Sequence, residues 1–291
     1  MQQVNKDNRR GKGMGSSKRV VLITGCSTGI GRALAEAYHA GGETVIATAR
    51  RLESIADLAD EGMQVAKLDV CKDDQIRNLV ERIGKEHGRL DVLVNNAGYA
   101  AIGPLAEMPL AELRRQFETN VFAPLALIQA ARPLLRSARG CVVQIGSVSA
   151  TLTSPFAGAY CASKAALHNL SDALRMELAP FGIRLIIAAP GAIRSSFGDA
   201  ASRGLGETLI AESWYAPIRT AIDERANASQ ANPTPAGLLA RKIVTESRKS
   251  RPRPILRIGN GARLLFLLKR LVPERGLDRI LSRKFKLDRL H

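Results

Sequence analysis

RVVLITGCSTGIGRALAEAYHAGG, residues 19–42, decides the fold. Val20–Ile23 form a short apolar run. Thr24-Gly25-Cys26-Ser27-Thr28-Gly29-Ile30-Gly31 follows, and GRALAEAYHA then spaces its apolar residues as a helix does before a Gly-Gly stop. Glycines at that junction let the chain turn tightly and approach a pyrophosphate at a helix N-terminus. The spacing is GxxxGxG. A glycine turn gains meaning from a strand before it and a helix after it, and both are predicted here.

Outward from this stretch the alternation repeats. TVIATAR, MQVAKLDV, LDVLVNNAG, GCVVQIGS and GIRLIIAAPG read as strands. LESIADLADEG, DDQIRNLVERIGKEHG, Leu110 to about Arg136, and Pro155 to about Leu178 read as helices between them. Short apolar strands alternating with helices predict a parallel sheet covered on both faces, hence a single-domain α/β Rossmann-type, doubly wound fold. PILRI (254–258) is a candidate last edge strand. After Gly191 the pattern breaks, and 194–235 reads as a substrate lid beyond the carboxyl ends of the strands, or as a plain surface excursion. The predicted organisation is a disordered basic arm (1–18), a Rossmann-type catalytic domain (19–258) and a basic amphipathic helical tail (259–291).

The formal charge of +16 suggests a nucleic-acid binder until it is divided along the chain. Residues 1–19 carry six basic and one acidic residue; 241–291 carry sixteen basic and four acidic. The 21 basic and 22 acidic residues between them leave the body near neutral. With no recognition motif and no interleaved aromatics, a nucleic-acid partner is not expected. Cys26, Cys71, Cys141 and Cys161 form no CxxC pair, and the four histidines lack ligand spacing. Reduced thiols, no metal site and a cytoplasmic location are expected. No run approaches the length of a membrane-spanning helix.

YCASK (160–164) places Tyr160 and Lys164 four apart, on one helix face. A cation beside a phenol favours the phenolate and suits the tyrosine to general acid–base work. Taken alone, the pair could equally be an ordinary helical tyrosine beside a solvated lysine.

TGxxxGIG, NNAG at 95–98, Ser147, YxxxK and Pro190-Gly191, in this order, resemble the short-chain dehydrogenase/reductase family from about residue 19 to about 260. The resemblance implies that Tyr160 donates a proton to a carbonyl or takes one from an alcohol. It implies that Lys164 lowers the phenol pKa and bonds the nicotinamide ribose, that Ser147 holds the substrate oxygen, and that Asn120 supports a water relay to the lysine. Ser147 as a strand-end cap and Asn120 as a buried helix amide are the alternatives. By the same resemblance Gly25, Ser27, Thr28, Gly29, Ile30, Gly31, Asp69, Val70, Asn96, Ala97, Gly98, Pro190, Gly191 and Ile193 line the dinucleotide, with Asn95 shaping the adjoining wall. For Asp69 an acidic helix cap is the competing reading. At the end of the second strand Ala49 stands where an NAD-preferring relative carries Asp, and Arg50 follows. An arginine there accommodates a 2′-phosphate, so NADP(H) is the expected cofactor. A homodimer or homotetramer is also implied.

In the tail, Leu264, Leu265, Leu267, Leu268, Leu271 and Val272 form an apolar face stopped at Pro273, and Leu277, Ile280, Leu281 and Phe285 form a second. Basic residues cover the other sides. Such helices lie on anionic membrane surfaces or pack on their own domain. The tail and the VIATARR stretch are similar to the branch of hydroxysteroid, retinol and acyl-dihydroxyacetone-phosphate reductases. That branch implies a small lipophilic carbonyl or alcohol substrate. The alternatives are a ketoacyl-carrier-type reductase and a dinucleotide-binding, membrane-peripheral protein without turnover.

Overall fold

The computed structural model describes residues 18–194, 213–230 and 232–290. Most of the predicted arm (1–17) and much of the predicted lid (195–212) lie outside the described residues.

In chain order the elements are β1 (Val20–Ile23), α1 (Gly29–Ala40), β2 (Thr44–Ala49), α2 (Ala56–Asp60), β3 (Gln64–Lys67), α3 (Asp73–His87), β4 (Val92–Asn95), α4 (Leu110–Phe117), α5 (Ala123–Ala138), β5 (Cys141–Ile145), α6 (Gly158–Leu178), β6 (Arg184–Pro190), α7 (Arg219–Asn227), α8 (Ala236–Ser247), β7 (Ile255–Ile258), α9 (Ala262–Leu271) and α10 (Glu274–Lys284). The seven strands form one sheet in the order β3-β2-β1-β4-β5-β6-β7, all neighbours parallel. The expected single-domain Rossmann-type sheet is therefore present, with PILRI at its edge beside β6.

Every residue of β1, β4 and β5 is buried, because helices cover both faces of the sheet. Alternate residues separate cleanly: Val21 and Ile23 join the layer with Leu34, Tyr38 and Ile243, while Val20 and Leu22 join the layer with Ile76, Leu79 and Leu127. In α3 the buried Ile76, Leu79, Val80 and Ile83 recur at helical spacing. Asp73 and Asp74 stand at its positive end, and Lys85 and His87 at its negative end.

Three elements differ from expectation. The segment after β2 is a 3-10 turn, Leu52–Ile55, followed by the short α2. The long helix from Leu110 is two helices, α4 and α5, joined by a π turn at Glu118–Phe122. The helix expected from Pro155 begins at Gly158, because Phe156 adopts a left-handed backbone, φ 64°, and Ala157 is not helical. In the tail Pro273 does separate two helices. α10 buries Leu277 and Phe285 against the domain, and the Phe285 ring stands edge-on to Phe156 at 6.3 Å. α9 leaves Leu264, Leu267 and Leu271 exposed, at 61%, 48% and 73%. Among the described residues no helix is long and apolar enough to cross a membrane.

Candidate active site

The strand order reverses between β1 and β4, and the chain segments leaving β1, β4, β5 and β6 meet at the carboxyl edge of the sheet. Gly25, with φ 73°, makes the turn out of β1. At Gly31, in the first turn of α1, a Cβ would lie 2.2 Å from the Gly25 carbonyl oxygen and 2.4 Å from Asn96 Nδ2. The turn is thus packed too closely for any side chain. Asn96 braces it: its Nδ2 donates to the carbonyls of Thr24 (2.8 Å) and Gly25 (2.9 Å). Thr24 Oγ1 accepts from the N–H groups of Asn96 and Ala97, each at 3.0 Å. The α1 N-terminus is held open as a backbone cradle, and its donor chemistry fits a pyrophosphate.

Around this cradle the sequence-predicted positions fall as follows. Ser27, Thr28, Gly29 and Ile30 form the loop and first turn entering α1. Arg50 is exposed at the end of β2, and its charge reaches the Cys71 thiol. Val70 is buried beneath the next strand end. Asp69 accepts at Oδ1 from the Cys71 N–H (3.0 Å), so its carboxylate closes the turn leading to α3, close to the alternative of an acidic cap. Gly98 lies on the Asn120 amide, and Pro190, Gly191 and Ile193 extend β6. Asn95 faces inward, its Nδ2 donating to the Pro124 carbonyl at 3.2 Å.

Beyond β5, Ser147 caps a 3-10 turn, accepting from the Ser149 N–H at 3.1 Å, and the same hydroxyl hydrogen-bonds the Tyr160 phenol. The strand-end cap is therefore present, and the same hydroxyl also reaches the phenol. Asn120, 1% exposed in the π turn, donates from Nδ2 to the Tyr99 carbonyl (3.0 Å) and Ser163 Oγ (3.1 Å), and its Oδ1 accepts from the Tyr99 N–H (3.2 Å). π turns recur at functional sites, and this one aims a buried amide at α6 beside Lys164. The Lys164 ammonium, 5% exposed, donates to the Ile145 carbonyl at 2.7 Å and lies 5.9 Å from the Tyr160 ring centre.

Electrostatics at the phenol differ from the expectation that Lys164 lowers its pKa. Burial dominates and pushes Tyr160 up to about 12, opposed by the Ser147 hydrogen bond and the charge of Arg225. Burial also brings Lys164 down to about 8. The phenol is thus protonated throughout the neutral range and stands as a proton donor.

Two residues of the site escaped sequence reading. His168 stands one turn beyond Lys164, and its Nε2 accepts from the Ser147 N–H at 3.3 Å. The i+4 spacing from Lys164 was its only signal. Burial and the Lys164 charge push His168 down to about 4. The unfolded chain, with an ordinary imidazole near 6.5, binds a proton that the folded one refuses. Stability should therefore hold above pH 6.5 and fall as pH drops toward 4, by up to about 3 kcal/mol. Urea midpoints across this range should show the decline, and His168→Gln should flatten it. The second residue is Arg225, on α7, outside every motif of the chain.

All four cysteines are free, and burial raises Cys26 and Cys141 to about 12. Among the described residues no His, Cys, Asp and Glu cluster could hold a metal.

A family model described as short chain dehydrogenase matches residues 19–205. A short-chain dehydrogenase of Talaromyces islandicus is 33% identical over 276 residues, 94% of this chain and 97% of that protein. The NADPH-dependent 1-acyldihydroxyacetone phosphate reductase of Saccharomyces cerevisiae is 32% identical over 282 residues, 94% and 93% of the two chains. The crystal structure of a short-chain dehydrogenase from Streptomyces avermitilis superposes with a TM-score of 0.77 at 33% identity, covering 95% of this chain and 99% of that one.

Proposed function

The chain belongs to the short-chain dehydrogenase family and is an oxidoreductase acting on CH–OH groups; from that premise we propose that it is NADP(H)-dependent and interconverts a lipophilic ketone or aldehyde with its alcohol. The observation that carries the reading is the Ser147 hydroxyl bonded to a protonated Tyr160 phenol, with Lys164 buried beside it. The phenol packs against an apolar cluster that includes Phe156, Tyr215, Ile222 and Phe285. That wall suits a steroid-, retinoid- or acyl-glyceride-like body.

In this reading a substrate carbonyl oxygen accepts hydrogen bonds from Ser147 and Tyr160. NADPH, when bound, supplies the hydride. As the carbonyl carbon gains it, Tyr160 gives its proton to the oxygen, and the alcohol leaves. The phenolate left behind is stabilised by the Ser147 hydroxyl and the charge of Arg225, then takes a proton back from solvent. Asn120 fixes Ser163 and the Tyr99 backbone, and so the placement of α6. The glycine turn (Gly25, Ser27–Gly31) would hold the pyrophosphate. Asp69, Val70, Asn96–Gly98, Pro190, Gly191 and Ile193 would line the rest, with residues 194–235 as lid. Arg50 would hold the 2′-phosphate, and the name of the yeast relative supports NADPH.

We assign the chain to the cytoplasm as a homodimer or homotetramer. Exposed Leu110, Phe122, Leu170 and Met176 on the α4–α5 and α6 helices support pairing there. Peripheral contact with an anionic membrane is supported by the exposed leucines of α9. It is supported too by a groove of about 650 Å³ beside β7 whose lining includes Arg241, Lys242, Arg253, Arg257 and Arg263 against one carboxylate, Glu246.

The test is NADPH and NADH oxidation with a panel of lipophilic and small polar carbonyls. NADPH-preferring turnover of lipophilic ketones is the expected result; cofactor binding without turnover in either direction would overturn it. Arg50→Ala should raise the KM for NADPH about tenfold or more and leave that for NADH within about twofold, since one charge-assisted contact is lost.

A further inference from the structure

Arg225 enters the site from α7. Its neighbours Ala221, Ile222 and Ala226 pack into the cluster that holds Phe156, Tyr160, Cys161, Tyr215 and Phe285, and the arginine lies half-buried beside them. Its Nε donates to Ser154 Oγ at 2.7 Å, and its guanidinium also donates to the thiol of Cys161, the residue next to Tyr160. One partner is a hydroxyl and the other a thiol; neither is a carboxylate. Among the described residues no carboxylate bonds it: the adjacent Glu224 pairs with Lys286 at 3.0 Å, and Asp223 is exposed. Burial pulls the guanidinium pKa down, and its charge is felt at the Tyr160 phenol.

A guanidinium carries five N–H donors in a planar fork and keeps its proton in any protein. Taking it out of water without a counter-charge is costly. A hydroxyl and a thiol leave donors unspent, and the fork matches a carboxylate or phosphate. Fastening α7 does not call for it: the helix is already held by its apolar face and by the Glu224–Lys286 pair.

We propose that Arg225 binds the anionic group of the substrate, so that the enzyme takes amphiphilic ketones or alcohols carrying a phosphate or carboxylate near the reacting carbon. This deepens the reading of Tyr160 as the reacting group and rests on it. An apolar wall broken by the Arg225 guanidinium selects an acyl-chain anion over a neutral steroid or retinoid. Lipid phosphates and long-chain oxo acids share this chemistry.

Binding tests the inference independently of turnover. Full-length protein saturated with NADPH would be titrated calorimetrically with dodecyl phosphate, dodecanoate and dodecanol. The wild type should bind one or both anions about tenfold or more tighter than the alcohol, and Arg225→Met should erase that gap. The stronger anion identifies which source the site takes. Ser154→Ala, which removes the same hydrogen bond without removing charge, should preserve the gap. If Arg225→Met does not fold, Arg225→Lys replaces it, and a reduced but present preference is expected. A gap that survives in Arg225→Met, a gap undiminished in Arg225→Lys, or one that Ser154→Ala erases as fully, overturns the proposal. In parallel, ketones with and without the anionic group would be assayed in both variants, with Tyr160→Phe as control. A wild type that turns over neutral ketones with no preference for anionic ones would sink the inference while leaving the reductase reading standing.

Discussion

Carbonyl reduction by Tyr160→Phe should fall by about 10³-fold, with NADPH affinity changed by less than about threefold. The variant removes one oxygen and its proton. The ring stays packed in its cluster with Phe156 and Tyr215, so the fold has no reason to change. The lost oxygen is the one that the Ser147 hydroxyl bonds, and among the described residues no other acid stands on that hydroxyl, which also accepts from the Ser149 N–H. The elevated phenol pKa sharpens the expectation. With Tyr160 at about 12, reduction should run level with pH across the neutral range, because the donor is always loaded. Alcohol oxidation requires the phenolate and should climb as pH rises. Steady-state rates in both directions, with cofactor affinity from fluorescence titration, measure all of this. Retention of more than about a tenth of the wild-type rate would remove Tyr160 from the chemistry.

Gly31→Ala should weaken dinucleotide binding by about 10²-fold, the equivalent of 2–3 kcal/mol, while the protein still folds. The added methyl meets backbone on one side, the Gly25 carbonyl at 2.2 Å, and the bracing amide of Asn96 at 2.4 Å on the other. Neither can yield without moving the glycine turn, since Asn96 is tied to both Thr24 and Gly25. Gly84→Ala in α3 is the matched control, because a Cβ there meets only Leu134 methyls, the nearer at 3.6 Å. That variant should bind cofactor as the wild type does and melt no lower, as expected for alanine in a helix interior. Equal cofactor affinity in Gly31→Ala and wild type would mean that the turn does not form the cradle.

The sheet, its parallel sense and the position of the glycine turn were legible in the sequence because they are local consequences of period and composition. Apolar runs of four to seven residues mark strands covered on both faces. The 3.6 spacing of Ile76, Leu79, Val80 and Ile83 marks a helix face. The order of TGCSTGIG, NNAG, Ser147, Tyr160 and Lys164 was legible by its resemblance to a family, with the first three at strand ends and the last two in the opening turns of α6. Even so, the chain alone could not divide 110–138 into α4 and α5, since the π turn depends on the Asn120 amide finding Tyr99 and Ser163 across the site.

What the sequence by itself determined, then, was a doubly wound sheet and a tyrosine–lysine pair on one helix face, because strand and helix periods and the one-turn spacing of YxxxK are short-range quantities. Only the tertiary structure decided how that pair is tuned. Burial is a property of everything packed around a group, and it raises the phenol where an isolated Tyr–Lys pair would lower it. The long-range partners are likewise tertiary facts: His168 beneath Ser147, and Arg225 arriving from α7, 65 positions beyond the phenol. No local pattern encodes them, because each arises only when separate crossovers of the sheet bring their ends to one edge.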